Sequence, residues 1–300
     1  MRVQLPILVG KSVDAIIVDA FRSLGCAPMG GPSSNGWSKQ GDFQRCPRRY
    51  QLIHEVGAVP TVAGDGSEAL DVGSVGHALL AVYYAKMLPD DRYPGWREKV
   101  PEPEALLKAM VDQGLPIQIA SVVERCFEGY IEFWGNEDVR PLAVEMQAGD
   151  AKFHTSRFDL VFFTEDGIHD GLWVQEHKFL KAGTDLEEYK LHGEILGEVL
   201  SFHLSKLDDF FGMPLNGVCL NVIFKPTAKM LPKYQRLWIQ PTWDALERYA
   251  ADRKYWIQAM LECKRMKTWP RALSGCKRYK LCRYFAHCRD LDDAQLKLKE

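Results

Sequence analysis

Residues 157–180 read R-F-D-L-V-F-F-T-E-D-G-I-H-D-G-L-W-V-Q-E-H-K-F-L. Two apolar runs flank the turn-rich residues 165–171, so the stretch predicts a β-hairpin with strands near 156–164 and 172–179. Residues two apart on a strand share a face, which places Glu176 beside Lys178, and the hairpin can bring Asp159 close to both. Two carboxylates can hold a divalent cation, and a neighbouring lysine can orient water or balance phosphate charge.

The E-x-K triplet at Glu176 is weak evidence when taken alone. Two further triplets, 188–190 and 262–264, lie in helical patterns, where such pairs are ordinary surface charges. Leu172, Trp173 and Phe179 make the strand of Glu176 too apolar to be a solvated edge. A buried Glu–Lys ion pair with no catalytic role remains the alternative.

The surrounding sequence predicts helices interleaved with strands. Helices are expected at 42–54, from near residue 67, at 104–113, 117–134 and 185–210, and from an N-cap at Thr242 to about 267; further strands are expected at 139–147, 218–224 and 234–240. Helices, a strand meander and then more helices around strands indicate an α/β fold with a mixed central sheet flanked by helices.

Composition narrows the class of protein. The chain has 300 residues, 46% hydrophobic content and a formal net charge of -2, so attraction to nucleic acid must come from local basic segments. Residues 5–9 are too short an apolar run for a secretory signal, and no run of about 18 apolar residues predicts a membrane span. We therefore expect a cytoplasmic protein without membrane contact.

Four of the eight cysteines have a distinctive arrangement. Cys276, Cys282 and Cys288 lie six residues apart, and Cys46 lies far upstream in F-Q-R-C-P-R-R-Y. Zinc sites usually contain C-x-x-C pairs, so the spacing fits zinc poorly, whereas four thiolates satisfy a cluster of four irons. Zinc stays open because His287 could replace a ligand. Buried free cysteines are the other alternative, and they are our interpretation of Cys126, Cys219 and Cys263.

These motifs together resemble a known family. Asp159 followed by Glu176-His177-Lys178 resembles the D…(D/E)-x-K core of the PD-(D/E)XK nuclease superfamily. Gly73 to His77 is similar to the G-x-x-x-H motif of its RecB-like branch. The four cysteines resemble those of the iron-sulfur nucleases in that branch, which include the AddB nuclease domain, CRISPR-associated adaptation nucleases and many phage exonucleases. The usual Q-x-x-x-Y motif is absent, since Glu198 and Phe202 have only its spacing.

The resemblance covers about residues 38–290 and implies a domain organisation. A nuclease domain of a restriction-endonuclease-like fold is expected at 38–290, with an iron-sulfur clasp joining its N- and C-terminal segments. Residues 1–37 would be an N-terminal extension and flexible strap, and 291–300 a C-terminal tail. Closing so long a loop would make the clasp mainly a structural staple.

The implied activity is that of a Mg²⁺- or Mn²⁺-dependent deoxyribonuclease. His77, Asp159, Glu176 and the backbone carbonyl of His177 would bind the cation, Lys178 would position water, Glu145 would support the site, and Cys46, Cys276, Cys282 and Cys288 would hold a 4Fe-4S cluster. DNA contacts are expected at Arg45, Arg48, Arg49, Lys277, Arg278, Tyr279 and Arg283.

The resemblance also suggests a biological setting. We expect an exonuclease in DNA recombination, repair or phage DNA processing that acts on single-stranded or duplex DNA ends. No G-x-x-x-x-G-K-[ST] motif is present, so unwinding would need a helicase or recombination partner. The rival hypotheses are an inert iron-sulfur module that binds DNA ends, and a zinc-bound structural protein.

Overall fold

The computed structural model describes residues 12–29, 33, 35–60, 68–277, 281–290 and 296–298. Residues 1–11, Arg278, Tyr279 and most of the expected tail lie outside the described residues, as does the side chain of Lys277.

The described residues form ten α-helices and seven strands. The helices are α1 (Val13–Ser23), α2 (Trp37–Arg45), α3 (Pro47–Tyr50), α4 (Glu68–Ala85), α5 (Pro103–Asp112), α6 (Ile117–Trp134), α7 (Gly193–Leu204), α8 (Leu207–Phe211), α9 (Trp243–Met266) and α10 (Phe285–Asp290). The strands are β1 (Ala58–Pro60), β2 (Val139–Asp150), β3 (His154–Thr164), β4 (Gly171–Leu180), β5 (Leu215–Phe224), β6 (Lys233–Ile239) and β7 (Leu296–Leu298).

A five-stranded mixed sheet forms the centre of the fold, in the order β2-β3-β4-β5-β6. β4 pairs with β5 in parallel and every other neighbouring pair is antiparallel. A parallel pair needs a crossover connection, which α7 and α8 provide. The expected α/β fold with a mixed central sheet flanked by helices is confirmed. β1 and β7 form a separate two-stranded antiparallel sheet.

Alternation along β4 divides the core between the two faces of the sheet. Leu172 and Val174 pack in the cluster that contains Ile195 of α7. Trp173 faces the other way and packs in a cluster with Tyr130 of α6. Each face is therefore covered by its own helices, as a two-sided sheet requires. A further cluster joins α1 to α4, α5 and α6.

Two predicted helices are shorter than the sequence suggested. The expected helix at 42–54 is interrupted because Cys46 is extended, with φ -169° and ψ 113°, and a residue before proline disfavours the helical region. The expected helix at 185–210 consists of a 3-10 turn (Glu187–Leu191), α7 and α8. Lys206 separates the two helices with a left-handed φ of +52°. The predicted N-cap is confirmed, since the Ala245 N–H donates to Thr242 Oγ1 at 3.3 Å.

Helices that could cross a membrane are absent from the described part of the chain, where none is both long and apolar enough.

The burial of β4 generates a stability prediction. Leu172 is fully buried, so we expect Leu172→Ala to lower the free energy of unfolding by roughly 2–5 kcal/mol, through lost apolar contact and the cavity left behind. Leu231 is 81% exposed, and Leu231→Ala should change the free energy of unfolding by no more than about 0.5 kcal/mol. Urea denaturation of both variants measures the difference. Equal effects would contradict the placement of Leu172 in the core.

Candidate active site

A cleft of about 780 Å³ lies where β3 and β4 separate. Its lining includes side chains from β2, β3, β4, α4 and α7, as well as residues from α1 to α2. The predicted residues His77, Glu145, Asp159, Glu176 and Lys178 all contribute to this lining. The structure therefore brings together five side chains from β2, β3, β4 and α4, which span residues 77–178 of the sequence.

Asp159 joins the two central strands at the cleft. The ladder between β3 and β4 runs from the pair Thr164–Gly171 to the pair Leu160–Gln175. At the next step, the backbone N–H of His177 donates to Asp159 Oδ2 at 2.7 Å. The same oxygen lies 3.2 Å from His77 Nδ1. A backbone donor and an imidazole therefore fix the orientation of this carboxylate.

His77 reaches the cleft from α4, which approaches β4 closely at Gly76. A Cβ atom at Gly76 would lie 2.1 Å from a ring atom of Phe179, so a glycine is needed for this helix to pack. Burial lowers the pKa of His77, but the carboxylate of Asp159 and then that of Glu176 outweigh it and raise the pKa to about 9. Without a cation in the cleft, the imidazole is held in its charged form.

Lys178 lies between two glutamates. Its Nζ contacts Glu176 Oε1 and lies 2.8 Å from Glu194 Oε2. Burial opposes the positive charge, but the two carboxylates raise the pKa of Lys178 well above its ordinary value. The ammonium group is therefore charged and its position is fixed by two anions.

Glu194 and Glu198 are cleft residues that sequence reasoning missed as a pair. They lie four residues apart on α7 and so share a face of an otherwise apolar helix, which is the signal that could have identified them. Glu198 is only 2% exposed, and burial together with Glu176 raises its pKa well above the ordinary value. Among the described residues, its Oε2 has no hydrogen-bond partner.

Glu145 has an unusual backbone at the edge of the cleft. Its φ is +53°, a left-handed conformation that is costly for a residue with a side chain. Burial and Asp159 raise the pKa of Glu145 to about 8. Arg157 Nη1 lies 3.9 Å from its carboxylate.

The side chain of His177 lies on the opposite face of the sheet from Glu176 and Lys178. It is 2% exposed, its Nδ1 accepts from Asn221 Nδ2 at 2.8 Å, and its ring stacks on Tyr84 at 5.9 Å. Burial, followed by the charge of His77, lowers its pKa well below the ordinary value. The imidazole is therefore neutral and belongs to the core.

The donor set of the cleft suits a hard cation, although the described side chains are not arranged around one. Two carboxylates and an imidazole are common ligands of divalent ions, and the unpartnered buried oxygen of Glu198 adds a further donor. However, no group of three or more His, Cys, Asp or Glu side chains in the described ranges is placed to hold a metal ion. Instead, Asp159 pairs with His77, while Glu176 pairs with Lys178.

The four predicted cluster cysteines lie in a second region, where the α2–α3 junction meets residues 270–277 and 281–288. The Cys282 N–H donates to the Cys276 carbonyl at 2.8 Å, and the Ala272 N–H donates to Cys46 Sγ at 3.5 Å. Burial raises the pKa of Cys288 and that of Cys276, and the neighbouring thiols of this group raise both further. The four thiols are therefore close enough to affect one another's charge, but in the described ranges no three of them are placed to hold a metal ion.

The arginines beside Cys46 bond to the protein itself. Arg45 Nε donates to the Gly275 carbonyl at 3.1 Å. Arg48 Nη2 lies 3.2 Å from His287 Nε2, and Arg49 Nε donates to Asp42 at 2.9 Å. These arginines therefore join chain segments, and the expectation that they bind DNA stays a prediction.

Arg283 and the remaining cysteines have different surroundings. The Arg283 guanidinium is exposed and lies 5.2 Å from the centre of the Tyr284 ring. Cys126 and Cys219 are fully buried, and burial raises the pKa of both thiols to about 12. Cys263 is partly buried on α9.

Comparison with known proteins gives a family match and a distant structural likeness. The model of the PD-(D/E)XK nuclease superfamily matches residues 38–193. No match to a curated protein was found. A Eubacterium rectale protein provisionally named an exonuclease is 13% identical, with a TM-score of 0.41 over 94% of this chain and 95% of that chain. The protein SSO0001 is 14% identical, with a TM-score of 0.29 over 75% and 86%. At these values, neither likeness assigns an activity.

The His77–Asp159 pair generates a prediction for pH dependence. In the folded protein the pKa of His77 is about 9, above the ordinary value of 6.5. The ion pair therefore stabilises the fold fully below pH 6.5, and this stabilisation is lost as the pH rises towards 9. With a chelator present, we expect the free energy of unfolding to fall over this range, and to fall less steeply for His77→Asn. Urea denaturation at several pH values measures both slopes.

Some slope should remain in the His77→Asn variant. Glu145 has a folded-state pKa of about 8, above its ordinary 4.5, so its burial costs more stability as pH rises between these values. Equal slopes in the wild type and the variant would contradict a charged His77.

Proposed function

Because this chain belongs to the PD-(D/E)XK nuclease superfamily, we propose that it is a Mg²⁺- or Mn²⁺-dependent deoxyribonuclease. Nucleases of this superfamily hydrolyse phosphodiester bonds, and DNA is the substrate that the family implies. The observation that carries the proposal is the convergence of His77, Asp159, Glu176 and Lys178 on one cleft. All four residues lie inside the matched range 38–193.

We assign the cation to His77, Asp159 and Glu176, together with the backbone carbonyl of His177. When bound, Mg²⁺ or Mn²⁺ would polarise the scissile phosphate and offset the charge that develops during hydrolysis. Asp159 is already oriented by the His177 N–H. An imidazole binds a metal ion in its neutral form. His77 would therefore have to release the extra proton that it carries beside Asp159 in the cation-free cleft. Glu145 supports the site from β2.

Lys178 positions the attacking water and balances negative charge on the phosphate. Its ammonium contacts both Glu176 and Glu194. If Glu176 turns to the cation, Glu194 still holds Lys178 by its contact at 2.8 Å. Glu194 would therefore be a positioning residue that keeps Lys178 in place when Glu176 binds the cation.

The further biological assignment follows the family resemblance. We propose an exonuclease of the RecB-like branch in DNA recombination, repair or phage DNA processing, and a helicase or recombination protein as its partner. The proposed domain boundaries are those of the sequence: a nuclease domain at 38–290 between an N-terminal extension and a short tail.

A substitution at Lys178 tests the proposed chemistry. Lys178→Ala should reduce Mn²⁺-dependent DNA cleavage by about 10²–10³-fold, because it removes a charge aimed at the reacting phosphate. Lys190→Ala is the matched control, since Lys190 also belongs to an E-x-K triplet but is half exposed and pairs with Glu187 on the surface. It should cleave as the wild type does.

The measurement is release of labelled nucleotides from single-stranded and duplex DNA, with far-ultraviolet circular dichroism as the test of folding. Full activity of a folded Lys178→Ala variant would sink the assignment. A wild type that binds DNA without cleaving it would favour an inert DNA-end-binding module.

We also propose that Cys46, Cys276, Cys282 and Cys288 hold a 4Fe-4S cluster that clasps the two ends of the nuclease domain. Four thiolates suit such a cluster. Beyond the effect of burial, Cys46 and Cys282 raise the pKa of both Cys276 and Cys288, which supports their proximity, although the thiols in the described ranges are not arranged around a metal ion. The extended conformation at Cys46, which precedes Pro47, turns the chain between two helices at this point.

Metal analysis of cysteine variants tests the cluster. Cys282→Ser should lose most of the iron, the acid-labile sulfide and the broad visible absorption of iron-thiolate chemistry. Cys263→Ser, which alters a thiol on α9 outside the group, should retain them. Elemental analysis of anaerobically purified protein measures iron and zinc together. One zinc per chain without iron would overturn the cluster in favour of a zinc site.

A further inference from the structure

The charged side chains that line the cleft are mostly acidic. The acidic ones are Asp14, Glu145, Asp159, Glu176, Glu194 and Glu198, and the basic ones are His77, Arg157 and Lys178. DNA carries one negative charge on each phosphate, so a strand that enters this cleft is repelled unless cations offset its charge. A bound divalent ion acts at the scissile phosphate. The phosphates on either side of it therefore need a cation from the protein.

His77 and Lys178 are already engaged with carboxylates. His77 Nδ1 lies 3.2 Å from Asp159 Oδ2, and this imidazole is one of the ligands that we assign to the cation. Lys178 Nζ contacts Glu176 and lies 2.8 Å from Glu194. Both side chains are therefore held at the reacting phosphate.

Arg157 is paired much more loosely. Its Nη1 lies 3.9 Å from Glu145 Oε2, a distance longer than a hydrogen bond. Among the described residues, its Nε has no hydrogen-bond partner although the atom is buried, while 22% of the whole side chain is exposed. A guanidinium has five N–H donors in a fork that matches phosphate oxygens. Arg157 therefore retains donors for an anionic acceptor that enters the cleft.

The register of the sheet places Arg157 across the opening from Lys178. Backbone pairing between β3 and β4 ends at Leu160 and Gln175. Continued beyond that pair, the same register would set Arg157 opposite Lys178, and the two strands have separated there. The two cations therefore lie on opposite sides of the opening. A DNA strand whose scissile phosphate lies at Lys178 can thus place a flanking phosphate at Arg157.

The backbone beside Arg157 is held more firmly than its guanidinium. The Thr155 N–H donates to the Asn35 carbonyl at 3.2 Å, and the Asn35 N–H donates to Thr155 Oγ1 at 2.8 Å. Arg253, which is fully buried on α9, donates to the Phe153 carbonyl at 3.0 Å and to Asn35 Oδ1 at 2.7 Å. These bonds fix the start of β3. Arg157 therefore extends from a rigid strand, as the binding of one particular phosphate requires.

We propose that Arg157 binds an oxygen of a DNA phosphate next to the scissile one, and so determines how the strand is positioned for hydrolysis. This inference rests on the proposed nuclease function and adds a substrate-binding residue to it. In the alternative role, Arg157 only offsets the charge of Glu145 inside the protein. The two roles differ in whether the side chain responds to the charge of one particular DNA phosphate.

Methylphosphonate linkages test the contact, because each replaces one charged phosphate with a neutral group. Oligonucleotides carry one such linkage each, at successive positions around the first bond cleaved, in the strand form, single or duplex, that the wild type cleaves faster. With Mn²⁺, we expect neutralisation of one flanking phosphate to lower kcat/KM of the wild type by about 10–100-fold, the effect of losing one hydrogen bond between charged groups. A wild type that loses activity at no flanking position would overturn the inference.

Arg157→Gln shows whether this effect belongs to Arg157. On unmodified DNA, the variant should lose activity by a similar factor, mainly through a higher KM. At the sensitive position, the neutral linkage should then slow it by less than about 3-fold more, because the contact is already lost. Arg140→Gln is the matched control, since Arg140 is an exposed arginine of β2 outside the lining of the cleft. It should keep the wild-type profile.

A folded Arg157→Gln variant that loses as much at that position as the wild type does would overturn the inference and leave the nuclease function standing. Arg157→Met removes the same charge, keeps an apolar stem and takes its place if the glutamine variant does not fold. If neither variant folds, the role of Arg157 is structural and the inference is wrong. A wild type that cleaves no oligonucleotide, the unmodified one included, would overturn the nuclease function and the inference with it.

Discussion

The hydrogen bond from the His177 N–H to Asp159 Oδ2 joins the architecture of the sheet to the geometry of the cleft. Along the hairpin, β3 and β4 pair backbone to backbone as far as Leu160 and Gln175. Beyond that point a side-chain oxygen takes the place of a backbone acceptor. The strands can then separate without leaving a buried N–H unsatisfied. The opening that results is the cleft. Asp159, whose carboxylate accepts the bond at the end of the strand pairing, is one of the residues that line it.

The face of the sheet behind this bond is a buried polar network. Tyr130 Oη accepts from Asn221 Nδ2 and Arg236 Nη2, both at 3.2 Å. Arg236 is paired in turn with Glu137. Asn221 also donates to His177. Asn221 therefore fixes one nitrogen of the ring of His177, the residue between Glu176 and Lys178, while Nε2 of the same ring has no hydrogen-bond partner among the described residues.

Sequence patterns predicted the elements that follow a simple period. Alternation in residues 157–180 identified the hairpin, and it placed Glu176 with Lys178 on one face. The interruption at Cys46 was also readable, because a proline follows it, although the helical pattern around it was given more weight. The break at Lys206 and the left-handed Glu145 carry no glycine or proline signal. They depend on tertiary packing, so local sequence could not reveal them. Glu194 and Glu198 were missed because family motifs directed attention to spacing and not to a polar face on an apolar helix.

Arg253 has a consequence for the order of events during synthesis. This side chain lies on α9, yet its partners Gln40 and Asn35 belong to the early part of the chain. Since the ribosome delivers residues in order, about 5–20 each second, Asn35 and Gln40 emerge long before the guanidinium that binds them. Throughout that interval, strands β3 and β4 can pair and bring Asp159 and Glu176 together, while one side of the cleft is not yet fixed. The N-terminal side of the cleft would therefore reach its final position only after α9 has been synthesised.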